Sequence, residues 1–226
     1  MWLPLLAVLA SAPASQNWKF ETDGTPQVQV SVVDGAVRVD AVDGNNVVIE
    51  AVLENPGSGR ESIEVVQKGD VIQARVCCGP CEEGNHSCKG KAPAVRMTVK
   101  VPRQAELEVS VVNAAVAVKG VAGEQEIASV NGRVEVNGSE RRLSVSAVDA
   151  EVVLAPRKLG ATSVSTVSGD VRLKLPDPAD ATVEFTSVGG RLNGKSAGMG
   201  SRNVTYGAGT QTVEVSTVSG SLTVQP

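Results

Sequence analysis

A short unit recurs along most of this chain, and it constrains the fold more than any other feature. The unit is Val, a small polar residue, Gly or Ala, any residue, and then two apolar residues separated by one position. Seven copies begin at Val33, Val112, Val130, Val148, Val167, Val188 and Val218. From Val112 onward the leading valines are separated by 18, 18, 19, 21 and 30 residues. Such a period predicts one supersecondary unit stacked on copies of itself.

The residues around each corner predict strands. In residues 212–217, polar and apolar side chains alternate, which is the signature of a half-buried strand. Gly220 then breaks the strand, because glycine adopts backbone conformations that other residues resist, and Leu222 and Val224 resume the alternation. Each unit is therefore a strand, a corner and a strand. Because one unit cannot bury its apolar stripe alone, the units stack, and we predict an all-β, single-stranded β-solenoid.

The composition fits this interior. The 226 residues include 41 Val but 13 Leu and 4 Ile, and 2% are aromatic. Stacking at ~4.8 Å places Val over Val in interior ladders, and a narrow interior suits that side chain. The polar residues between the apolar positions should face water: Arg133, Glu135, Ser144, Ser146, Arg172, Lys174, Glu184 and Thr223.

A β-sandwich is the structural alternative, since short strands separated by turns also describe one. The nearly constant period through residues 106–192, and a corner motif that recurs at the same phase, favour the solenoid. A sandwich has no reason to repeat its sequence.

The chain outside the regular repeats divides into three parts. Residues 1–14 (MWLPLLAVLASAPA) fit a secretory signal peptide, with a short apolar stretch and a small-x-small cleavage pattern at Ala12-Pro13-Ala14. Residues 15–105 are predicted as a less regular β segment that caps the solenoid formed by residues 106–226, the two being continuous in one domain. The Gly-rich residues 193–209 are predicted as a loop that protrudes from one coil.

Within the N-terminal segment, individual strands are predicted from alternation and turn residues. They cover residues 47–53, 63–67, 71–76 and 94–101, with a hairpin turn at Gly69-Asp70.

All four cysteines and the one histidine lie in residues 77–88. In an exported protein an even number of cysteines indicates disulfides, which staple a loop that has no core of its own. A bond between Cys77 and Cys78 is disfavoured, because adjacent Cα atoms lie ~3.8 Å apart, closer than disulfides prefer. Two pairings stay open: Cys77–Cys88 with Cys78–Cys81, or Cys77–Cys81 with Cys78–Cys88.

Two other interpretations of these cysteines are weaker. Zinc bound by thiolates, with or without His86, is compatible with the Cys78-x-x-Cys81 spacing, but an oxidising compartment argues against it. Cys78-Gly79-Pro80-Cys81 reproduces the thioredoxin active-site tetrapeptide, yet that chemistry needs a thiolate at a helix N-terminus, and Gly84-Asn85 follow too soon for a helix.

The segments VPRQAELEVSVVN, ASVNGRVEV, VSTVSGDVRLKLPDPADATVEFTSVGGRL and VEVSTVSGSLTV carry a resemblance. They resemble a bacterial family of β-strand-repeat proteins labelled "putative adhesin", a domain of unknown function, over residues 28–226. The resemblance implies an exported or envelope-associated, right-handed β-solenoid without established catalytic residues. Ala114 and Ala150 depart from the pattern at the corner glycine, and the Cys-rich segment between Val76 and Ala94 is an insertion.

No catalytic arrangement stands out in the sequence. Asp149 and Asp170 are conceivable members of an acid pair, but turn-forming corner residues such as these normally bond to the backbone of the turn. Ser87 is adjacent to His86, so the histidine is wrongly placed to activate it. We therefore predict no enzyme activity, no cofactor and no metal.

These observations lead to three hypotheses of function. The first is a non-enzymatic, exported interaction or adhesin-like module of the periplasm, cell envelope or exterior, which contacts an unknown envelope or surface protein through residues 77–88 and 193–209. The second is self-assembly, in which the C-terminal coil stacks on another subunit. The third is thiol–disulfide exchange at Cys78 and Cys81.

Two classes of partner are not expected. A pI near 5.2 without a basic cluster argues against binding to nucleic acid, and no apolar run in the mature chain reaches the ~18–20 residues of a membrane span.

Overall fold

The computed structural model describes residues 15–22, 24–54, 62–77 and 92–226. These residues form seventeen strands. In chain order they are β1 (Ser15–Glu21), β2 (Gln27–Val42), β3 (Asn46–Leu53), β4 (Ser62–Lys68), β5 (Val71–Cys77), β6 (Ala94–Pro102), β7 (Glu106–Lys119), β8 (Gln125–Asn137), β9 (Leu143–Ala155), β10 (Thr162–Thr166), β11 (Val171–Lys174), β12 (Ala181–Ser187), β13 (Arg191–Leu192), β14 (Lys195–Ser196), β15 (Gly200–Tyr206), β16 (Gln211–Thr217) and β17 (Ser221–Gln225). None of the described residues belongs to a helix that is long and apolar enough to cross a membrane.

The predicted β-solenoid is confirmed by four long strands. Strands β2, β7, β8 and β9 each run through a corner, and each lies parallel to the next with equivalent repeat positions side by side. Val37, Val116, Val134 and Val152, for example, occupy the same place in successive coils. Parallel pairing of successive repeats excludes the β-sandwich, since its neighbouring strands are mostly antiparallel.

The interior consists of ladders of aliphatic side chains. Val109, Ile127 and Val145 are fully or almost fully buried before the corner, and Val116 and Val134 lie equally deep after it. Each such burial contributes roughly 1.5–3 kcal/mol to folding. The polar residues expected to face water are all exposed or partly exposed, so the predicted alternation is confirmed on both faces.

The last three repeats use a pair of short strands for each coil. The pairs are β10 with β11, β12 with β13, and β16 with β17. Although the coil of β16 and β17 comes last in the chain, it lies inside the stack. Strand β16 is parallel to β10 on one side and to β12 on the other, and β17 likewise lies between β11 and β13.

This order contradicts the hypothesis that the C-terminal coil stacks on another subunit. That hypothesis needs an uncovered last coil, but the strands of this coil have partners on both sides. The coil that begins at Val188 lies beyond it, so the stack order by leading valine is 33, 112, 130, 148, 167, 218 and 188.

Strands of the N-terminal segment cover one end of the stack. Strand β2 lies between β7 on one side and β5 and β6 on the other. Antiparallel strands then close this end: β4 pairs with β5, β3 with β6, and β1 with β3. The strands expected within residues 47–101 are all present.

The prediction of a protruding loop at residues 193–209 is wrong, because this segment caps the other end of the stack. Strand β15 pairs antiparallel with β12 over seven residues, and β14 pairs with β13. The return to β16 is fixed by Asp180, whose carboxylate accepts hydrogen bonds from the Thr210 hydroxyl (2.6 Å) and the Thr210 backbone N–H (3.0 Å). These bonds lower the pKa of Asp180 from its usual value.

Candidate interaction surface

The leading valine of every repeat lies outside the solenoid. Val33, Val112, Val130, Val148, Val167, Val218 and Val188, in stack order, are each 39–54% exposed. Backbone hydrogen bonds join adjacent members of this set, such as Val167 N–H to the Val148 carbonyl and Val218 N–H to the Val167 carbonyl. The seven valines therefore form one continuous apolar line, which we call the corner row.

The corner itself explains why these valines point outward. In β7, Val111 is buried, Val112 and Asn113 are both exposed, and Ala114 is buried again. Two successive outward residues shift the alternation by one position, so the chain turns while its apolar positions on both sides still face the interior. Sequence reasoning missed the corner row because a strict period of two does not include this shift.

Two polar rows flank the corner row along the stack. On the strand side lies the hydroxyl row, composed of Ser31, Ser110, Ser146, Ser165, Ser216 and Thr186, with Ala128 in the place of a hydroxyl residue in the third coil. On the corner side lies the turn row, composed of Asp34, Asn113, Asn131, Asp149, Ser168, Ser219 and Gly189. The apolar line therefore has uncharged neighbours along most of its length, and its two acidic neighbours are Asp34 and Asp149.

Members of the turn row bond to one another between coils. Asn131 Nδ2 donates to Asn113 Oδ1 at 2.9 Å, and Ser168 Oγ donates to Asp149 Oδ1 at 3.2 Å. These contacts fix the side chains beside the corner row. The Asp149 carboxylate is thus joined to a hydroxyl group of the neighbouring coil.

A groove of about 630 Å³ runs between the hydroxyl row and the corner row. It follows four coils and is lined by residues 31–33, 110–112, 128–130 and 146–148. Arg75 and Val76 of β5 line it at the N-terminal end, where the Arg75 guanidinium is 2.5 Å from the Glu64 carboxylate.

Buried hydroxyl groups brace the corners of the later coils. Thr217 Oγ1 accepts the Gly220 N–H at 2.9 Å and lies 3.0 Å from Thr166 Oγ1, which also donates to the Gly169 carbonyl at 3.2 Å. The threonine of the TVSG corner thus bonds the turn backbone of its own coil and contacts the next. These contacts hold the corner row on a rigid support.

The second acidic candidate from the sequence is Asp170. Asp170 Oδ1 accepts the Ser221 N–H at 3.0 Å, so this carboxylate bonds to the backbone at the corner of the neighbouring coil. Across the described ranges, His, Cys, Asp and Glu nowhere gather in a group of three or more that could hold a metal ion.

The cysteine predictions fall mostly outside the described residues. Cys77, the last residue of β5, is buried and disulfide-bonded. Cys78, Cys81, Cys88 and His86 lie outside the described ranges, so the pairing of the cysteines stays a prediction.

Comparison with known proteins supports the fold. The family model described as Toastrack DUF4097 matches residues 21–225. A "putative adhesin" from Bacteroides fragilis has 11% sequence identity and a TM-score of 0.50, over 94% of this chain and 98% of that one. A "putative cell adhesion protein" from Clostridium sporogenes has 12% identity and a TM-score of 0.48, over 95% of this chain and 99% of that one. No curated protein matches the chain.

Proposed function

Because this chain belongs to the Toastrack DUF4097 family, a domain of unknown function, we propose that it is a non-enzymatic, exported interaction module of the bacterial surface or envelope. The observation that carries this proposal is the corner row, seven exposed valines in one line on a rigid solenoid. Single exposed apolar residues are ordinary on protein surfaces, whereas a continuous apolar line is typical of an interaction site. Residues 193–209 were expected to form a contact surface, but they cap the stack. We therefore assign the contact surface to the corner row.

Export is supported by the N-terminal sequence. Residues 1–14 have the apolar stretch and small-residue cleavage pattern of a signal peptide, and polar Ser15-Gln16-Asn17 follow directly. We place the mature protein in the periplasm, the envelope or the medium. There, disulfides between Cys77, Cys78, Cys81 and Cys88 would persist. N-terminal sequencing of the protein recovered from fractionated cells tests this part, and a cytoplasmic protein that retains Met1 would refute it.

The interaction is tested by adding charge to the corner row. We expect labelled protein to bind intact cells of the producing organism, and the double variant V130D/V148D to lose most of this binding, because each aspartate replaces an apolar contact with a charge that must be desolvated. The matched control is N137D/T223D, which adds two aspartates at exposed positions on the other outer face. Equal binding by both variants, or no binding by the unmodified protein, would refute the proposal.

A further inference from the structure

The corner row has the properties of one half of a symmetric interface. We propose that it pairs with the corner row of a second copy of this chain, about a two-fold axis parallel to the stack of coils. This inference rests on the proposed function, since it names the partner of the same surface.

The spacing of the row favours a partner with the same period. Adjacent coils are ~4.8 Å apart, so seven valines extend over roughly 29 Å. A rigid partner with another spacing would meet only one or two of them in register. A second copy repeats the same interval, so its valines can meet those of the first copy in register along the whole row.

The flanking rows decide the orientation. With the two-fold axis parallel to the stack, each coil faces its equivalent in the other copy, and the hydroxyl row of one copy lies opposite the turn row of the other. Ser31 then faces Asp34, Ser110 faces Asn113, and Ser146 faces the carboxylate of Asp149. Hydroxyl donors thus meet carboxylate and amide acceptors, and no two like charges come together.

The antiparallel arrangement has the opposite result. Val148 leads the fourth of the seven coils, so reversal of one copy leaves this coil opposite itself. The Asp149 side chains of the two copies would then meet directly, and like charges that lie opposite each other are destabilising. The polar rows therefore select the parallel arrangement.

The small size of the surface sets the strength of the pairing. A strip roughly 29 Å long and about 10 Å wide covers on the order of 300 Å² on each copy, below the ~800 Å² per partner of a standard stable interface. We therefore expect reversible association with a dissociation constant on the order of 100 μM in solution. Copies concentrated on one envelope would associate more completely, because tethering raises their effective concentration.

Sedimentation equilibrium of the full chain, over about two decades of concentration around ~100 μM, tests the pairing itself. We expect a monomer–dimer equilibrium for the unmodified protein and for N137D/T223D, and a monomer throughout for V130D/V148D. A chain that stays monomeric over this range would overturn the proposal. Binding of a fluorescent long-chain fatty acid by such a monomer would assign the groove to an acyl chain instead.

Cysteine cross-linking tests the orientation. In the parallel arrangement each Val112 faces Val112 of the other copy, so V112C alone should form disulfide-linked dimers under mild oxidation, at the short Cα separation that disulfides need. In the antiparallel arrangement Val112 faces Val218, and a dimer would require a mixture of V112C and V218C. The unmodified protein controls for exchange of the native cysteines. Cross-links only in the mixture, or none, would overturn the proposal.

These experiments separate the two proposals. If V130D/V148D loses binding to cells while the unmodified chain does not associate and V112C does not cross-link, the surface is an interaction site for another partner, and only the pairing is refuted. If the variant keeps its binding to cells, the proposed function itself is refuted.

Discussion

At the level of single residues, the corners limit which side chain the chain can tolerate. A Cβ atom at Gly169 would lie 2.0 Å from the Ala150 carbonyl oxygen of the neighbouring coil, and one at Gly220 would lie 2.2 Å from the Gly169 carbonyl oxygen. Ala150 occupies the equivalent position one coil earlier with its side chain fully buried. Glycine is therefore required at some corners by the approach of the next backbone, whereas at other corners alanine fits the interior.

We predict that G169A destabilises the protein by about 2 kcal/mol or more, because the added methyl group forces two hydrogen-bonded backbones apart. The matched control is G189A, since a Cβ at Gly189 meets nothing nearer than the Val218 carbonyl oxygen at 3.9 Å. Urea denaturation followed by circular dichroism measures both. Equal midpoints for the two variants would contradict this account of the corners.

The residue pattern predicted the interior of each coil but not the corner row. Val213, Val215, Leu222 and Val224 were assignable to the core because each alternates with polar residues. Val218 was not assignable to the surface, because the backbone of the corner, rather than residue type, decides which way it points. The sequence does not distinguish a valine of the core from a valine of the corner. The shift in alternation that separates them is set by the three-dimensional path of the backbone.

At the level of secondary-structure elements, the main result is that the final two strands are inserted into the stack. The separation of 30 residues between Val188 and Val218 indicated that something intervenes, and residues 193–209 form the strands that do so. The order of the coils was not predictable, since every coil presents nearly the same aliphatic ladder to its neighbours. The position of β15, which occupies the free side of β12, leaves β16 only the other side.

We predict that hydrogen exchange will place β16 among the most protected strands. Its amides around Val213 and Val215 should exchange about as slowly as those of β8, because both strands are paired on two sides and carry buried side chains. The amides of β15 should exchange faster on average, since within the described residues this strand pairs only with β12. Fast exchange of β16 at the rate of β15 would mean that the C-terminal coil lies at the end of the stack.

For the whole molecule, strands near both ends of the chain pair with strands that are distant in sequence, and this distinguishes the protein from a linear repeat array. In a linear repeat array each unit contacts only its neighbours in sequence, and unfolding can begin at either end. Here β2 pairs with strands on both sides of it, and the last coil completes the stack between two earlier ones. Separation of either terminal segment therefore exposes interior ladders, so the ends of the chain are coupled to its centre.

We therefore predict that the chain unfolds as one cooperative unit. Trp18 in β1 packs against the core at the N-terminal cap, so its fluorescence reports on that end, while circular dichroism reports on all strands. In a chain that carries Trp2→Phe, which leaves Trp18 as the one tryptophan, both signals should change at the same urea concentration. G169A, which lies in the Val167 coil far from β1 in the stack, should lower both midpoints equally. A midpoint for Trp18 that stays unchanged while the circular dichroism midpoint falls would show that the N-terminal cap is an independent unit, and that insertion of the terminal strands does not couple the two ends.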